Sequence, residues 1–433
     1  MSEPATQRHR NGPVKADSDL VRRQNRSLVL SALRRRTPLA RVDLGAATAL
    51  SPATITAITA DLIGEGLIET VTVDPAECPE AADVETPVRR GRPRILLQLD
   101  SRAALVLGIK IAINQVTLIL ADFTGVIVAR ANLTPRTLAE TRDSFPRTLI
   151  GLVRDFLATH RIPLARIAEV SIAAQGFVDA VSGSVMWSPA FRDRDVRLVG
   201  PLEDAFEVPC VISNDANMIA EALHAQDPEI YGDTFAVIFV DYGVGMGLFV
   251  GGHLHAGANG SAAEFGHMNH IPHGPLCRCG RHGCIEAYVA DYAIWREAQG
   301  MPPDTDPRDA SPSRDDLKAL EAAAAAGDAR IRAIYEQAGE ALGYGLARLM
   351  ALVNPSRIVF TGGSTRAFPL IEPAMNRAID DALVEDLRRF TVFETLPDEK
   401  DMIITGLIAD ALARLDRDVF SNPSNARRFR AEG

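Results

Sequence analysis

The sequence predicts an α/β protein in two parts, an N-terminal winged helix-turn-helix followed by a larger domain of alternating strands and helices. Three observations carry this. Residues 18–99 give three helical patterns and then two strand-like runs; beyond residue 100 strands and helices alternate. Charge is also uneven, with residues 1–100 balancing at +1 while the whole chain of 433 residues stands at −10. Such a length leaves room for two or three domains and a large core. Hydrophobic residues make up 47% and charged residues 24%, which excludes collagen-like, mucin-like and globally disordered proteins. The longest apolar stretch, residues 103–121, carries Lys110, Asn114 and Gln115 in mid-span, so no membrane segment is expected. No apolar leader stands at the N-terminus. The five cysteines are too few for a disulfide-stapled fold, and the expected compartment is the cytoplasm.

Residues 1–17 are polar and aperiodic and are expected to form a disordered tail. From Asp19, Leu20, Leu28, Leu30 and Leu33 recur at helical spacing to about Arg36, where Thr37-Pro38 ends the helix. A short helix spans about Arg41 to Ala47. Ser51-Pro52 opens a third: the serine caps free backbone N–H groups, and proline at the first helical position lacks an N–H that would go unbonded there. Ile55, Ile58, Leu62 and Ile63 give that helix an apolar face as far as Gly64-Glu65-Gly66. Strand-like runs at 67–73 and 94–99 flank an acidic, proline-rich tip that ends in Arg89-Arg90-Gly91-Arg92-Pro93-Arg94. Farther on, 105–111 and 116–122 read as a hairpin, with strands at 169–173, 210–213, 236–240 and 357–361. Helices are expected at 145–159, 217–226 and 331–353, a surface loop at 301–316, a helical surface stretch at 322–326 and a tail at 421–433. No internal repeat is found.

A recognition helix reads base edges in the major groove while basic groups hold phosphates. The third helix offers Ser51, Thr54 and Thr56, and Arg41 opens the helix before it. Hydroxyls discriminate bases less sharply than a bidentate arginine. Arg90 and Arg92 are better placed, because an arginine on a narrow ribbon tip fits the strongly negative minor groove. The clusters Arg22, Arg23, Arg26 and Arg34 to Arg36 add cations that can neutralise phosphates; the plainer alternative is a solvated face. Double-stranded operator DNA is the expected partner. A helical dimerisation or peptide-binding module is the alternative for this segment.

The most specific local signal is His267-x9-Cys277-Arg-Cys279-Gly-Arg-His-Gly-Cys284. Three thiolates and one imidazole match a closed tetrahedral zinc site of the structural kind. Gly280 and Gly283 let the backbone turn tightly enough to bring Cys279 and Cys284 to one ion. His270, His273 and His282 are rival ligands, more simply read as surface-loop histidines.

Asn214-Asp215 follows an apolar strand and opens a helix. A carboxylate there can accept from a bound hydroxyl or act as a general base; the simpler role is a helix cap. Glu264 stands before His267 and Glu286 after Cys284, so two carboxylates flank one imidazole, an arrangement suited to a polyhydroxylated ligand. Over about residues 100–420 the chain resembles the ROK family of repressors, open reading frames and kinases. The resemblance rests on the cysteine run with Glu286, on Asn214-Asp215-Ala216-Asn217, on Ala263-Glu264-Phe265-Gly266-His267 and on Gly176-Phe177-Val178-Asp179. Residues 18–99 resemble the DNA-binding segment of its repressor branch, including Leu50-Ser51-Pro52-Ala53-Thr54 and Gly91-Arg92-Pro93. The resemblance implies a two-lobed, actin-like sugar-kinase fold over 100–420, with Asn214, Asp215, Glu264, His267 and Glu286 contacting the sugar. His267 then serves both zinc and sugar.

Departures from the family decide between its branches. ROK kinases carry Asp-x-Gly-x-Thr after the first strand; here the stretch is Lys110-Ile111-Ala112-Ile113-Asn114. The second phosphate loop, Gly-Thr-Gly in kinases, reads Asp241-Tyr242-Gly243, whereas Thr361-Gly362-Gly363 survives. Carboxylate–metal contact and close backbone approach to phosphate are thereby compromised. The expectation is a sugar-responsive transcriptional repressor, a homodimer or dimer of dimers with structural zinc and no catalysis. The alternative is an ATP-dependent sugar kinase with Asp215 as its base. A third reading keeps only dimerisation and zinc for the larger domain. The recognition helix has Ala57 where the family often has arginine, which shifts base readout toward the wing.

Overall fold

The computed structural model describes residues 18–72, 95–396, 401–425 and 429. The chain divides into two compact units, Met1–Ala104 with Leu412–Gly433, and Leu105–Ala411. The expected tail 1–17, the wing residues Arg89 to Arg94 and most of 421–433 lie outside the described residues.

The first unit runs α1 (Ser18–Arg35), β1 (Leu39–Ala40), α2 (Arg41–Thr48), α3 (Pro52–Glu65), β2 (Ile68–Thr72) and β3 (Ile95–Leu99), the three helices and two strands expected together with a short strand, β1, that was not. The strands form one antiparallel sheet in the order β1-β3-β2. Ser51 caps α3 by accepting from the Thr54 N–H at 3.2 Å, and Pro52 is its first residue. Ile55, Ile58 and Leu62 are buried as their spacing requires. In α1 the stripe is displaced: Leu20 and Leu28 are exposed, and Arg26, Val29, Leu30 and Leu33 face inward.

Three arginines expected to meet phosphates are engaged inside this unit. Arg26, fully buried, donates to both Glu65 carboxylate oxygens and to the Phe420 carbonyl at 3.1 Å. Arg34 grips buried Asp416 with two hydrogen bonds, of 2.9 and 3.0 Å, and Arg22 pairs with Asp61. These contacts also correct the expected boundary at residue 420. The chain belongs to the first unit from Leu412 onward, because the Asp416 and Phe420 turns are bound there.

The second unit holds two five-stranded sheets with one strand plan. The chain meanders through β4 (Leu105–Ala112), β5 (Gln115–Asp122) and β6 (Ile127–Leu133), passes α4 (Phe145–Thr159), and returns in β7 (Ile167–Ala174) parallel to β4. A small antiparallel sheet follows, β8 (Phe177–Asp179), β9 (Ser184–Trp187) and β10 (Val196–Arg197), then α5 (Val199–Phe206). β11 (Cys210–Asn214) closes the order β11-β7-β4-β5-β6, and α6 (Asp215–Gln226) leads out. β12 (Phe235–Val240), β13 (Val244–Val250) and β14 (His253–Leu254) repeat the meander. Then come α7 (Glu286–Val289), α8 (Asp291–Ala298), α9 (Arg314–Ala325), α10 (Ala329–Val353) and β15 (Arg357–Thr361). α11 (Phe368–Ala382), α12 (Glu385–Arg388) and β16 (Val392–Thr395) complete the order β14-β13-β12-β15-β16, with β15 and β16 parallel. α13 (Met402–Arg414) crosses into the first unit. So a repeat exists in topology that the residues do not show. Every residue of β7 is buried, as befits a strand covered on both faces, and its near-continuous apolar run made it legible. The expected loop 301–316 ends sooner, at Ser313, which caps α9 through Asp316.

No single helix among the described residues is long and apolar enough to cross a membrane.

Candidate ligand pocket and metal cluster

In open α/β sheets ligands gather beyond the carboxyl ends of the strands. Here the ends of β7, β11 and β12 deliver Gln175-Gly176, Asn214-Asp215 and Asp241-Tyr242-Gly243 to one cavity. Glu264, His267 and Glu286 line the same cavity, so all five residues named for sugar contact converge. The cavity is lined by polar and aromatic side chains together and opens to solvent.

Asn214, and not Asp215, is the helix cap: its Oδ1 accepts from the Ala216 N–H at 2.8 Å, and its Nδ2 donates to the Gly176 carbonyl at 2.8 Å. Asp215 is the first helical residue and only 7% exposed. Burial pushes its carboxyl up to about 6, although the Ala216 N–H and the Lys110 charge both favour the ionised form. Burial also pushes Glu264 up to about 8; His267 opposes this, and the charges of Asp215 and Glu286 add to it. Glu286 accepts from the Val244 N–H at 3.1 Å and from the Tyr292 hydroxyl at 3.4 Å.

His267, Cys277, Cys279 and Cys284 bring their ligand atoms within 4.8 Å of one another. Tetrahedral geometry with Zn–S near 2.3 Å and Zn–N near 2.0 Å places ligand atoms about 3.5–3.8 Å apart. The Cys279 and Cys284 sulfurs are 3.9 Å apart, and His267 Nδ1 is 3.5 Å from Cys277 Sγ, so the donor set fits such an ion. His267 Nε2 faces the other way, 4.0 Å from Glu286 Oε2. Gly280 and Gly283 take φ of +86° and +75°, and a Cβ at Gly283 would lie 1.7 Å from the Ile271 carbonyl. His270, His273 and His282 stand outside the cluster.

The stretches that depart from the kinase pattern are also placed. Lys110 pairs with Asp401 at 3.1 Å, and Arg130 holds the other oxygen of that carboxylate at 3.0 Å. Asp241 Oδ1 lies 3.1 Å, and Arg314 Nη2 3.5 Å, from where a Cβ at Gly363 would stand. Arg366 donates to the Gly363 carbonyl, and Tyr242 is 53% exposed at the pocket mouth.

In the first unit, Arg41 Nε donates to Thr59 Oγ1 at 2.9 Å. Ser51 and Thr54 hydroxyls bond each other at 2.8 Å, and the Thr56 hydroxyl turns back to the Pro52 carbonyl at 2.8 Å. Arg90 and Arg92 are outside the described residues.

Sequence reasoning missed Gln175, Trp187 and Arg278, all on the cavity wall. Trp187 stands edge-on to His267, ring centroids 5.9 Å apart. The Gly176-Phe177-Val178-Asp179 motif pointed to this turn but began one residue after Gln175.

The model of the ROK family matches residues 106–405. The DNA-binding transcriptional dual regulator NagC of Escherichia coli K12 is 27% identical over 376 residues, spanning 86% of this chain and 88% of its own. The xylose repressor of Bacillus subtilis is 23% identical over 384 residues, spanning 88% and 92%. A ROK family transcriptional regulator described as a homolog of E. coli Mlc superposes with a TM-score of 0.72 at 24% identity, covering 91% of this chain and 97% of that one. A ROK family glucokinase from Streptomyces griseus, solved with glucose and AMPPNP, gives 0.54 at 25% identity, covering 71% and 99%.

Proposed function

This chain belongs to the ROK family, and on that premise we propose that it is a sugar-responsive transcriptional repressor acting in the cytoplasm. The observation that carries the reading is the contrast within one unit. Asn214, Asp215, Glu264, His267 and Glu286 meet at a cavity, while Lys110, ion-paired to Asp401, stands where family kinases place the phosphate-loop aspartate. The names of the repressor relatives support it.

In this reading the carboxyl groups of Asp215, Glu264 and Glu286 hydrogen-bond sugar hydroxyls, and Asn214 fixes the start of α6. His267, Cys277, Cys279 and Cys284 hold zinc through Nδ1 and three thiolates, leaving the Nε2 proton for the pocket. When bound there, zinc supplies a closed structural knot with no open coordination position. The first unit acts as a winged helix-turn-helix with α3 as recognition helix. Arg41, Ser51, Thr54 and Thr56 contact DNA beside it, and Arg90 and Arg92 do so from the wing. A homodimer or dimer of dimers brings two such units to paired half-sites. Sugar shifts DNA affinity only by as much as it distinguishes two states of the protein.

The test is fluorescence anisotropy on DNA from around the chain's own gene, with and without hexoses, pentoses and N-acetylated sugars. One sugar class is expected to change the affinity. No binding even at low salt, where phosphate contacts are strongest, overturns the repressor reading. ATP-dependent phosphorylation of a hexose in a parallel assay would establish the kinase alternative, which the buried carboxyl of Asp215 at the pocket favours.

A further inference from the structure

Among the described residues, Gln175 Oε1, Asn217 Oδ1 and His270 Nδ1 are buried side-chain atoms with no hydrogen-bond partner. Of these residues only Gln175 lines the cavity that collects the candidate sugar residues. A buried acceptor without a donor is unfavourable and rare in native proteins, and at a binding site a ligand can supply the donor.

The backbone around Gln175 is fixed from two sides. The next residue, Gly176, has φ of +94°, and a Cβ there would lie 2.3 Å from the Trp187 carbonyl, so the turn is pressed against β9. The Gly176 carbonyl accepts from Asn214 Nδ2 at 2.8 Å, which ties the same turn to the start of α6. Gln175 therefore sits between the helix that carries Asp215 and the wall formed by Trp187 and His267. Trp187 and Gln175 thus line the same cavity, and an aromatic side chain there can pack against the apolar face of a sugar ring.

We propose that Gln175 is a ligand-recognition residue, its side-chain carbonyl accepting a hydrogen bond from a hydroxyl or acylamino N–H on the part of the sugar lying against Trp187. The proposal rests on the sugar-binding reading above. Its test uses the full chain and calorimetric titration with glucose, xylose and N-acetylglucosamine, followed by the monodeoxy analogues of glucose. Gln175→Leu is expected to bind the preferred sugar about tenfold more weakly, since its partner donor is left unpaired in the complex. The same variant is expected to keep its thermal midpoint and metal content, because the native carbonyl has no bond within the chain to lose. Loss of the deoxygenated hydroxyl, or of the acetamido group, weakens binding to the native chain but not to Gln175→Leu, and whichever change does so identifies the donor. Unchanged affinity in Gln175→Leu overturns the assignment, as does a fall in midpoint that parallels the fall in affinity. Absence of binding by the native chain to all three sugars overturns the sugar reading itself, before any variant is made.

Discussion

Asp215 occupies a position that disfavours its own ionised form. Its carboxyl is raised from 3.8 to about 6 because it is buried, and a raised carboxyl means the folded chain holds that proton more tightly than the unfolded one. The stability this gives is fully present below the ordinary value and is lost as pH rises through about 6. At pH 7 the ionised group costs the fold on the order of 2–3 kcal/mol. Asp215→Asn keeps an oxygen for the Ala216 N–H and removes the charge. It is therefore expected to raise the denaturation midpoint at pH 7, to lose that advantage near pH 4, and to abolish sugar binding. Denaturant titrations across pH check the first two; a variant less stable than the native chain at pH 7 would count against the buried carboxylate. In the native chain sugar affinity should decline below about pH 6, as the acceptor becomes protonated. Asp215 was named because Asn214-Asp215-Ala216-Asn217 resembles a family motif, whereas its place after an apolar strand, taken alone, pointed to a helix cap. Gln175 was not, because a glutamine before a glycine signifies nothing until its burial and missing partner are known.

The loop from His267 to Glu286 brings four candidate metal donors together, turns at two glycines of positive φ and has little apolar core of its own, the buried cluster there being Cys277, Cys284 and Ala287. Cys279→Ser is expected to reduce bound metal from one equivalent to near zero and to weaken sugar binding about 10–100-fold, since His267 loses the partner that orients it. Metal analysis with calorimetry checks this; retained sugar affinity in a metal-free variant would separate the loop from the pocket. Chemistry-bearing spacing survives in sequence because the ligands lie within one short segment. Long-range pairing does not. Arg26 and Arg34 look like solvated cations in sequence, yet Arg34 finds its carboxylate 382 positions away and Arg26 a carbonyl 394 away. The twofold strand plan was invisible for a related reason, because hydrogen-bond order repeats while the side chains and insertions do not. Single elements such as α4 and β15 were read to the residue, since proline near a helix start and a short apolar run fix both ends.

For the whole chain, the pocket residues and the candidate DNA contacts belong to different compact units, so response to sugar requires a coupling free energy between two sites. Such coupling is reciprocal at equilibrium. If saturating sugar changes DNA affinity by a factor, saturating DNA must change sugar affinity by the same factor, typically about 5–150-fold. The uneven charge sharpens the measurement. The units together carry −10, and several arginines of the first unit are spent on Asp61, Glu65 and Asp416. Its DNA affinity should therefore depend on salt less steeply than a count of its arginines suggests, and both titrations must share one ionic strength. Anisotropy with and without sugar gives one factor, and calorimetry of sugar with and without DNA gives the other. Equal factors identify the sugar as an equilibrium effector. In Asp215→Asn both should fall to one while DNA affinity without sugar is unchanged. Unequal factors would mean that the sugar acts on DNA binding by some route other than occupancy of this pocket, and a response that survives in Asp215→Asn would place the effector elsewhere on the chain.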